Sequence, residues 1–363
     1  MKKLGMIAFF LLLLFLLPPP PVWAEGSAVD VGAVEEALDE EAREIGGELK
    51  TDGSYDLDGA LARLWARAKR TALEKLRGEL REMTRIAALA VLCCVAESLC
   101  GEARIRELIS ICACAAVTVC VAGSVDSLTG DLTAAMNELC AYARAALPAV
   151  YTAAAVSGAV VSAGAKYAAV LLCMNIMMEL LFRLTIPLIY AYLALCVCRS
   201  IFPNAVLNAA VSMSKWLAVS MMTLLTTGVS AYIGLTAALT GGADAMAVKG
   251  TKTVIASALP VVGGILSDAA SVVLAGAAVI KNAAGVFALI GVCALSITPF
   301  AAIGAKLLLF RLCAAIAAAA EGKRLAGLLG DMGSALGMLL GVLGSLTLLL
   351  FLSFMAAIRT VSA

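Results

Sequence analysis

The chain has 363 residues, of which 62% are hydrophobic and 15% charged, and its formal net charge is +1. Ordinary soluble domains carry about 45–50% apolar and about 25% charged residues; here the apolar excess comes in long blocks, which indicates a polytopic helical membrane protein. Histidine is absent, which removes the commonest general base and metal ligand, and no basic face is large enough to bind nucleic acid. We expect no catalytic, cofactor-binding or metal site, and therefore no enzyme.

The 12 cysteines, which include the Cys112/Cys114 and Cys196/Cys198 pairs, lie mostly in apolar blocks. Side chains two positions apart on a helix point about 200° away from each other. With no histidine nearby, neither pair has the pattern of a zinc site. We interpret the cysteines as small hydrophobic residues that pack between helices.

Residues 1–24 have the pattern of a secretory signal peptide. Two lysines precede an apolar run from Leu4 to Leu17, prolines follow this run, and the small Ala24 stands before Glu25. The prolines would end the apolar helix before the cleavage site. An uncleaved membrane anchor is the alternative.

Residues 25–82 form the strongly polar part of the chain and predict a small extracytoplasmic helical region. The first half is acidic, and from Leu61 the pattern becomes amphipathic and cationic. Such a helix docks on a partner or lies at a membrane surface, or is simply solvated. The seven cations between Arg63 and Arg81 would favour the cytoplasmic side. We expect the extracytoplasmic side because the signal peptide is the stronger evidence, and the cations then need an anionic membrane or protein partner.

Residues 83–363 predict a multi-span transmembrane domain. A helix needs about 20 apolar residues to cross the hydrocarbon core, and we count six to eight spans. The first two candidates are short, and the charged turn Gly101–Glu107 joins them into a predicted helical hairpin. The candidates are Ile86–Cys100, Leu108–Gly123, Ala145–Gly164, Lys166–Cys198, Trp216–Leu239, Gly285–Leu309 and Leu336–Ile358.

The span Lys166–Cys198, which is either one long broken helix or two short ones, contains a predicted polar network. Asn175, Glu179 and Arg183 follow one another at intervals of four and therefore share one helical face. Pairing of Glu179 with Arg183 would reduce the cost of burying either charge. Two interpretations remain open: a polar lining for a pathway, or a structural clamp between helices or at an interface between spans. Pro187, one turn later, predicts a kink.

A glycine run in the last apolar block predicts close helix packing. Gly333, Gly337 and Gly341 form two overlapping GxxxG units, which let helices approach closely. The contact would be made within the chain or between copies of a homo-oligomer.

Residues 240–285 predict a broken-helix segment. Pro260 interrupts a helix, Gly263 and Gly264 allow a sharp bend, and Ser267 and Asp268 would cap the helix that follows. Irregular backbone at membrane depth is tolerated where it is buried in protein or lines a water-filled cavity. The alternative is an amphipathic hairpin outside the membrane.

The predicted fold is therefore an all-α polytopic membrane protein. It has six to eight transmembrane helices and a broken or re-entrant helical element. A signal peptide and a small extracytoplasmic helical region precede the membrane domain.

The same segment carries a resemblance to a known family. The string that carries it runs through Asp244, Lys249, Lys252, Pro260, Gly263, Gly264, Ser267, Asp268, Lys281, Asn282 and Gly285. In this order, and with the layout of signal peptide, polar region and multiple spans, the chain resembles stage III sporulation protein AE of endospore-forming Firmicutes. The turn from Glu321 to Arg324 matches less well, which leaves the role of that loop open.

The resemblance implies a role in the mother cell during sporulation, in the membrane that surrounds the forespore. The family belongs to a complex with sister stage III proteins, among them ring-forming and ATPase-like subunits, and this complex joins stage II sporulation protein Q from the forespore side. The expected function is that of a membrane subunit of the resulting conduit, as pore wall or assembly platform. The alternative is an independent ion-coupled small-solute transporter. Such transporters often have two related halves, and we see no second copy of the Pro260–Gly264 segment.

Overall fold

The computed structural model describes residues 57–100, 102–156, 160–258, 263–320 and 322–358, and for 236–284, among other positions, it describes the backbone alone. Every regular element in these ranges is helical, which confirms the predicted all-α class. The predicted signal peptide, residues 1–24, lies outside the described residues. The helices are α1 (Leu57–Leu99), α2 (Ala103–Val156), α3 (Val160–Leu180), a π-helical segment (Leu181–Thr185), α4 (Ile186–Ile201), α5 (Ala205–Ala258), α6 (Gly263–Ala319) and α7 (Lys323–Ile358).

Five segments of the described helices are long and apolar enough to cross a bilayer, as expected for a polytopic membrane protein. The predicted number of six to eight spans stays a prediction, because the two N-terminal candidates, Ile86–Cys100 and Leu108–Gly123, include positions whose side chains are not described. The helices α1 and α2 do contact each other as the predicted hairpin. The five segments are Leu128–Val156, Ala163–Ile201, Ala205–Ile233, Gly285–Ala319 and Lys323–Ile358.

The helix α1 joins the polar N-terminal region to the membrane domain without a break. It runs continuously through residue 82, where the sequence suggested a domain boundary. Its C-terminal half packs against α2 and α6 and buries Ile86 and Ala90, while Leu92 and Leu99 are 68% and 80% exposed. The amphipathic stretch and the first apolar stretch are therefore one rod, and the division at residue 82 stays a prediction.

A π-helical segment stands where Pro187 predicts a kink. The N–H of Ile186 bonds to the carbonyl of Leu181, five positions earlier, which is the π-helical pattern. Proline lacks an N–H and crowds the preceding turn, and the wider π turn lets α3 continue into α4. The buried Thr185 hydroxyl also donates to the carbonyl of Leu180 at 3.4 Å. The predicted long span is thus one continuous helical run with a local defect.

The break predicted at Pro260 in the segment 240–285 lies outside the described residues, which stop at Ala258 in α5 and resume at Gly263 in α6. The described helices on the two sides are 54 and 57 residues long, so they are not short half-helices. The alanine-rich sequence of the segment has high helix propensity, and Pro260 is its one proline.

The helix α7 lies at the centre of the bundle, where it contacts α2, α3, α4, α5 and α6. Buried polar contacts fasten it at both ends. At its C-terminal end the Tyr151 hydroxyl donates to the carbonyl of Ser353 at 3.0 Å, and Lys166 Nζ lies 3.5 Å from the carbonyl of Ala356. Near its N-terminal end the Arg199 guanidinium of α4 pairs with Asp331. Two levels of polar contact therefore fix the register of α7 against α2, α3 and α4.

The Arg199–Asp331 pair is testable as a link between α4 and α7. Both side chains are largely buried, so removing one partner leaves an unpaired charge in an apolar setting. We expect Arg199→Leu and Asp331→Leu each to lower the free energy of unfolding by about 2 kcal/mol. The double variant should lose less than the sum, as measured by denaturation of the purified chain in detergent. Strictly additive losses would remove the pair from this role.

Candidate functional site

The predicted pair of Glu179 and Arg183 forms an ion pair, with Nε of Arg183 2.5 Å from Oε1 of Glu179. The pair straddles the start of the π-helical segment: Glu179 belongs to the last turn of α3 and Arg183 to the segment itself. Asn175 lies one turn earlier and is exposed. Within the described part of the chain its side chain makes no hydrogen bond to the pair, so the network reduces to two residues.

The ion pair faces outward from the bundle. The Arg183 side chain is 77% exposed and that of Glu179 is 57% exposed. The sequence left open a polar lining for a pathway and a structural clamp between helices or at an interface between spans; such exposure argues against a clamp buried between helices of this chain, and the lining stays a prediction. We call Asn175, Glu179 and Arg183 the outward polar face.

The outward polar face lies near the middle of the candidate membrane span Ala163–Ile201. One end of the α3–α4 run is tied by Lys166 to Ala356, and the other by Arg199 to Asp331. The stretch of α7 between these two contacts is about 37 Å long at 1.5 Å per residue, slightly more than the ~30 Å hydrocarbon core. Glu179 lies roughly midway between Lys166 and Arg199 along the same helical run. The ion pair therefore lies between the two contacts, near the middle of the apolar segment Ala163–Ile201 that is long enough to cross a bilayer.

The residues of the predicted broken-helix motif are not brought into a site by the described structure. Pro260 lies among the residues that are not described. The others lie in the N-terminal part of α6, where the backbone alone is described: Gly263, Gly264, Ser267, Asp268, Lys281 and Asn282. Because α6 already begins at Gly263, Ser267 and Asp268 lie inside the helix and cannot be its N-terminal caps, contrary to the sequence-based expectation.

The glycine run borders a groove between α5, α6 and α7. The predicted packing residues all lie in α7: Gly333, Gly337 and Gly341. A methyl group at Gly337 would lie 3.4 Å from Cδ1 of Leu307 on α6, and one at Gly341 would overlap the tip of Met222 on α5. The absence of side chains therefore gives neighbouring side chains from α5 and α6 room to lie against α7.

The groove itself has a volume of about 550 Å³ and was not predicted from the sequence. We call it the α5–α7 groove. Polar residues from all three helices line it, among them Lys215, Thr223, Thr226, Arg311, Ser334 and Ser345. In the sequence, Lys215 and Arg311 stand near the ends of apolar blocks, where cations are ordinary membrane anchors. Their convergence is a tertiary property that spacing along one helix does not reveal.

Other site chemistry is sparse in the described ranges. No three His, Cys, Asp or Glu side chains come together there in an arrangement that would hold a metal ion. Within each predicted cysteine pair the two members differ in burial: Cys114 and Cys196 are buried, whereas Cys112 and Cys198 are exposed. This matches the different directions expected for helical neighbours two positions apart.

Comparisons with known proteins identify one family. The family model for stage III sporulation protein AE matches residues 50–361 of the chain. No curated protein and no solved structure matches it.

The contact of Gly341 with Met222 leads to a test within α7. Gly341→Leu would push Met222 out of the groove, and we expect it to lower the free energy of unfolding by roughly 1–3 kcal/mol, the usual range for overpacking. Gly327 lies in the same helix with no atom within 4 Å of an added methyl group, so Gly327→Leu is the control and should leave stability unchanged or raise it by up to about 1 kcal/mol, because leucine has the higher helix propensity. Equal effects of the two substitutions in detergent denaturation would contradict a close contact at Gly341.

Proposed function

The chain belongs to the stage III sporulation protein AE family, whose role is in sporulation, and on this premise we propose that it is the membrane subunit of a mother-cell-to-forespore conduit. Its partners would be the other stage III proteins, including ring-forming and ATPase-like subunits, and indirectly stage II sporulation protein Q. In this assembly the chain serves as pore wall or platform. It contributes no chemistry of its own.

The observation that carries this proposal is the outward polar face. A charged residue at the centre of a bilayer costs about 2.5–3.5 kcal/mol even on the lenient insertion scales, and intramembrane charges normally face protein or a wet cavity. Glu179 and Arg183 are exposed on the isolated chain. Another protein, or a pore enclosed by several subunits, therefore covers this face in the working assembly. A self-sufficient transporter would instead place its charged pair inside its own bundle.

The distribution of cations supports an orientation for the subunit. One end of the bundle carries the turn before α2, the turn between α4 and α5 and the turn between α6 and α7. Basic residues in or near these turns are Arg104, Arg106, Arg199, Lys215, Arg311, Lys323 and Arg324. Short cytoplasmic loops carry the excess of Lys and Arg in membrane proteins, so we place this end in the mother-cell cytoplasm.

The opposite end then faces the space between the two membranes. The helix α5 runs away from the end that carries the basic turns, which we call the cationic end, and α6 returns to it. The helix α1 ends beside α2 at the cationic end and therefore begins on the other side. This arrangement agrees with an exported N-terminal region in the mother-cell membrane around the forespore. The cationic first half of α1 is there available to anionic partners.

A charge-swap variant tests whether another protein covers the outward polar face. Glu179→Arg combined with Arg183→Glu keeps an ion pair within the chain but reverses its direction. We expect the purified variant to unfold in detergent like the wild type. In an endospore-forming host lacking its own copy, recovery of the other stage III proteins with the variant should fall at least roughly tenfold, because like charges opposed across an interface cost several kcal/mol.

The control for the swap is Leu184→Ile, which changes an exposed neighbour of Arg183 without altering charge. It should leave both stability and partner recovery unchanged. Normal partner recovery and normal spore yield with the charge-swap variant would contradict the proposal and favour a transporter that acts alone.

A further inference from the structure

The mouth of the α5–α7 groove holds two cations that share a single neutral partner. Nζ of Lys215 on α5 lies 3.3 Å from Oγ of Ser334, and a terminal nitrogen of Arg311 on α6 lies 3.4 Å from the same oxygen. The Ser334 hydroxyl in turn donates to the carbonyl of Gly330 at 3.0 Å. One hydroxyl oxygen does not balance two positive charges. The mouth of the groove therefore carries a net positive charge.

No carboxylate of the described residues neutralises that charge. Neither Lys215 nor Arg311 forms an ion pair with a described residue. The acidic residue nearest in sequence to Ser334 is Asp331, which is already paired with Arg199 on α4. Gly333 adds to the arrangement, because its missing side chain leaves room for Arg311: a methyl group there would lie 3.4 Å from Nε. The two cations are thus held close together, and no carboxylate of the described residues pairs with either of them.

Beyond its mouth the groove presents mainly apolar groups to an occupant, although hydroxyl-bearing residues line it. Its hydroxyl groups are satisfied by their own helices or by each other: Thr223 donates to the carbonyl of Val219 at 2.9 Å, and Thr226 to Oγ of Ser345 at 3.0 Å. Ser345 donates to the carbonyl of Gly341 at 2.8 Å. With these protons engaged, the walls present methyl and methylene groups to an occupant, together with the apolar side chains of Val219, Met222 and Met338.

The groove also opens toward the surrounding membrane. Lys215, Val219, Thr223 and Thr227 recur every fourth residue along α5, and all four are exposed. They run from the cationic end of the bundle toward its middle. An occupant that enters from the side would therefore have its anionic part at headgroup level and its apolar part at the depth of the acyl chains.

We infer that the α5–α7 groove binds an anionic phospholipid, with its phosphate between Lys215 and Arg311 and one acyl chain along α5. A phosphate group offers several acceptor oxygens to the ammonium and guanidinium donors. Basic pockets between transmembrane helices near the cytoplasmic surface are a known form of lipid headgroup recognition. This site is separate from the outward polar face, so it stands or falls independently of the proposed assembly.

The test is native mass spectrometry of the full chain in detergent, titrated with phosphatidylglycerol, phosphatidylcholine or inorganic phosphate. We expect one phosphatidylglycerol to be retained with at least roughly tenfold preference over phosphatidylcholine, since each basic residue near the headgroup contributes to attraction of negative charge. K215Q/R311Q should abolish the preference. K69Q/R70Q removes two exposed cations of α1 instead and should keep it.

Two further measurements separate binding from folding. The lipid-free K215Q/R311Q chain should unfold no more easily than the wild type, because the substitution relieves repulsion between like charges. Val219→Trp keeps both cations but fills the groove beside them, and it should weaken phosphatidylglycerol retention, whereas Leu217→Trp, exposed on α5 outside the groove lining, should not.

Equal retention of the two lipids, or full retention of phosphatidylglycerol by K215Q/R311Q, would overturn the site. Displacement of bound phosphatidylglycerol by an equal concentration of inorganic phosphate would overturn the lipid assignment, because it would identify a free anion as the ligand.

Discussion

A charged side chain inside a bilayer must be neutralised by a partner or covered by protein, and this constraint organises the whole chain. Within the bundle, Arg199 forms an ion pair with Asp331. At the cationic end, Arg324 of α7 forms an ion pair with Glu107 of α2 at 2.7 Å. The latter contact gives a structural role to Arg324, at the end of the turn that matches the family less well. These pairs account for internal order. Other polar surfaces are left either uncovered or without a counter-charge within the isolated chain.

Two such surfaces lie among the described residues of the membrane domain, and their chemistry differs. On the outward polar face, Glu179 and Arg183 already neutralise each other. This face therefore needs a covering of protein or water rather than a counter-charge. The mouth of the α5–α7 groove has two cations and only a hydroxyl between them, so it carries a net positive charge. The first surface therefore indicates contact with protein or an enclosed pore, and the second indicates an anionic lipid. Both lie on helices that α7 holds in register, which connects the packing of the bundle to its external contacts.

Much of the fold could be predicted from the sequence, because apolar blocks, a charged turn and a proline are local signals. They correctly indicated an all-helical membrane protein and a hairpin of α1 and α2, while the interruption at Pro260 stays a prediction. The pairing of Glu179 with Arg183 followed from their spacing of four residues. The direction in which the pair faces could not be predicted, because the helix around it is apolar on every side and carries no amphipathic signal. The convergence of Lys215 and Arg311 on Ser334 could not be predicted either, because these residues lie on three different helices.

The most direct test of the account is site-specific photo-crosslinking from position 184, next to Arg183 on the outward polar face. A benzophenone amino acid replaces Leu184, which is 45% exposed, and membranes of a sporulating host are irradiated. The account predicts adducts between the chain and another protein of the assembly or a second copy, and their loss in the charge-swap variant. Irradiation that yields lipid adducts alone, in membranes where the conduit has assembled, would contradict the claim that protein covers this face.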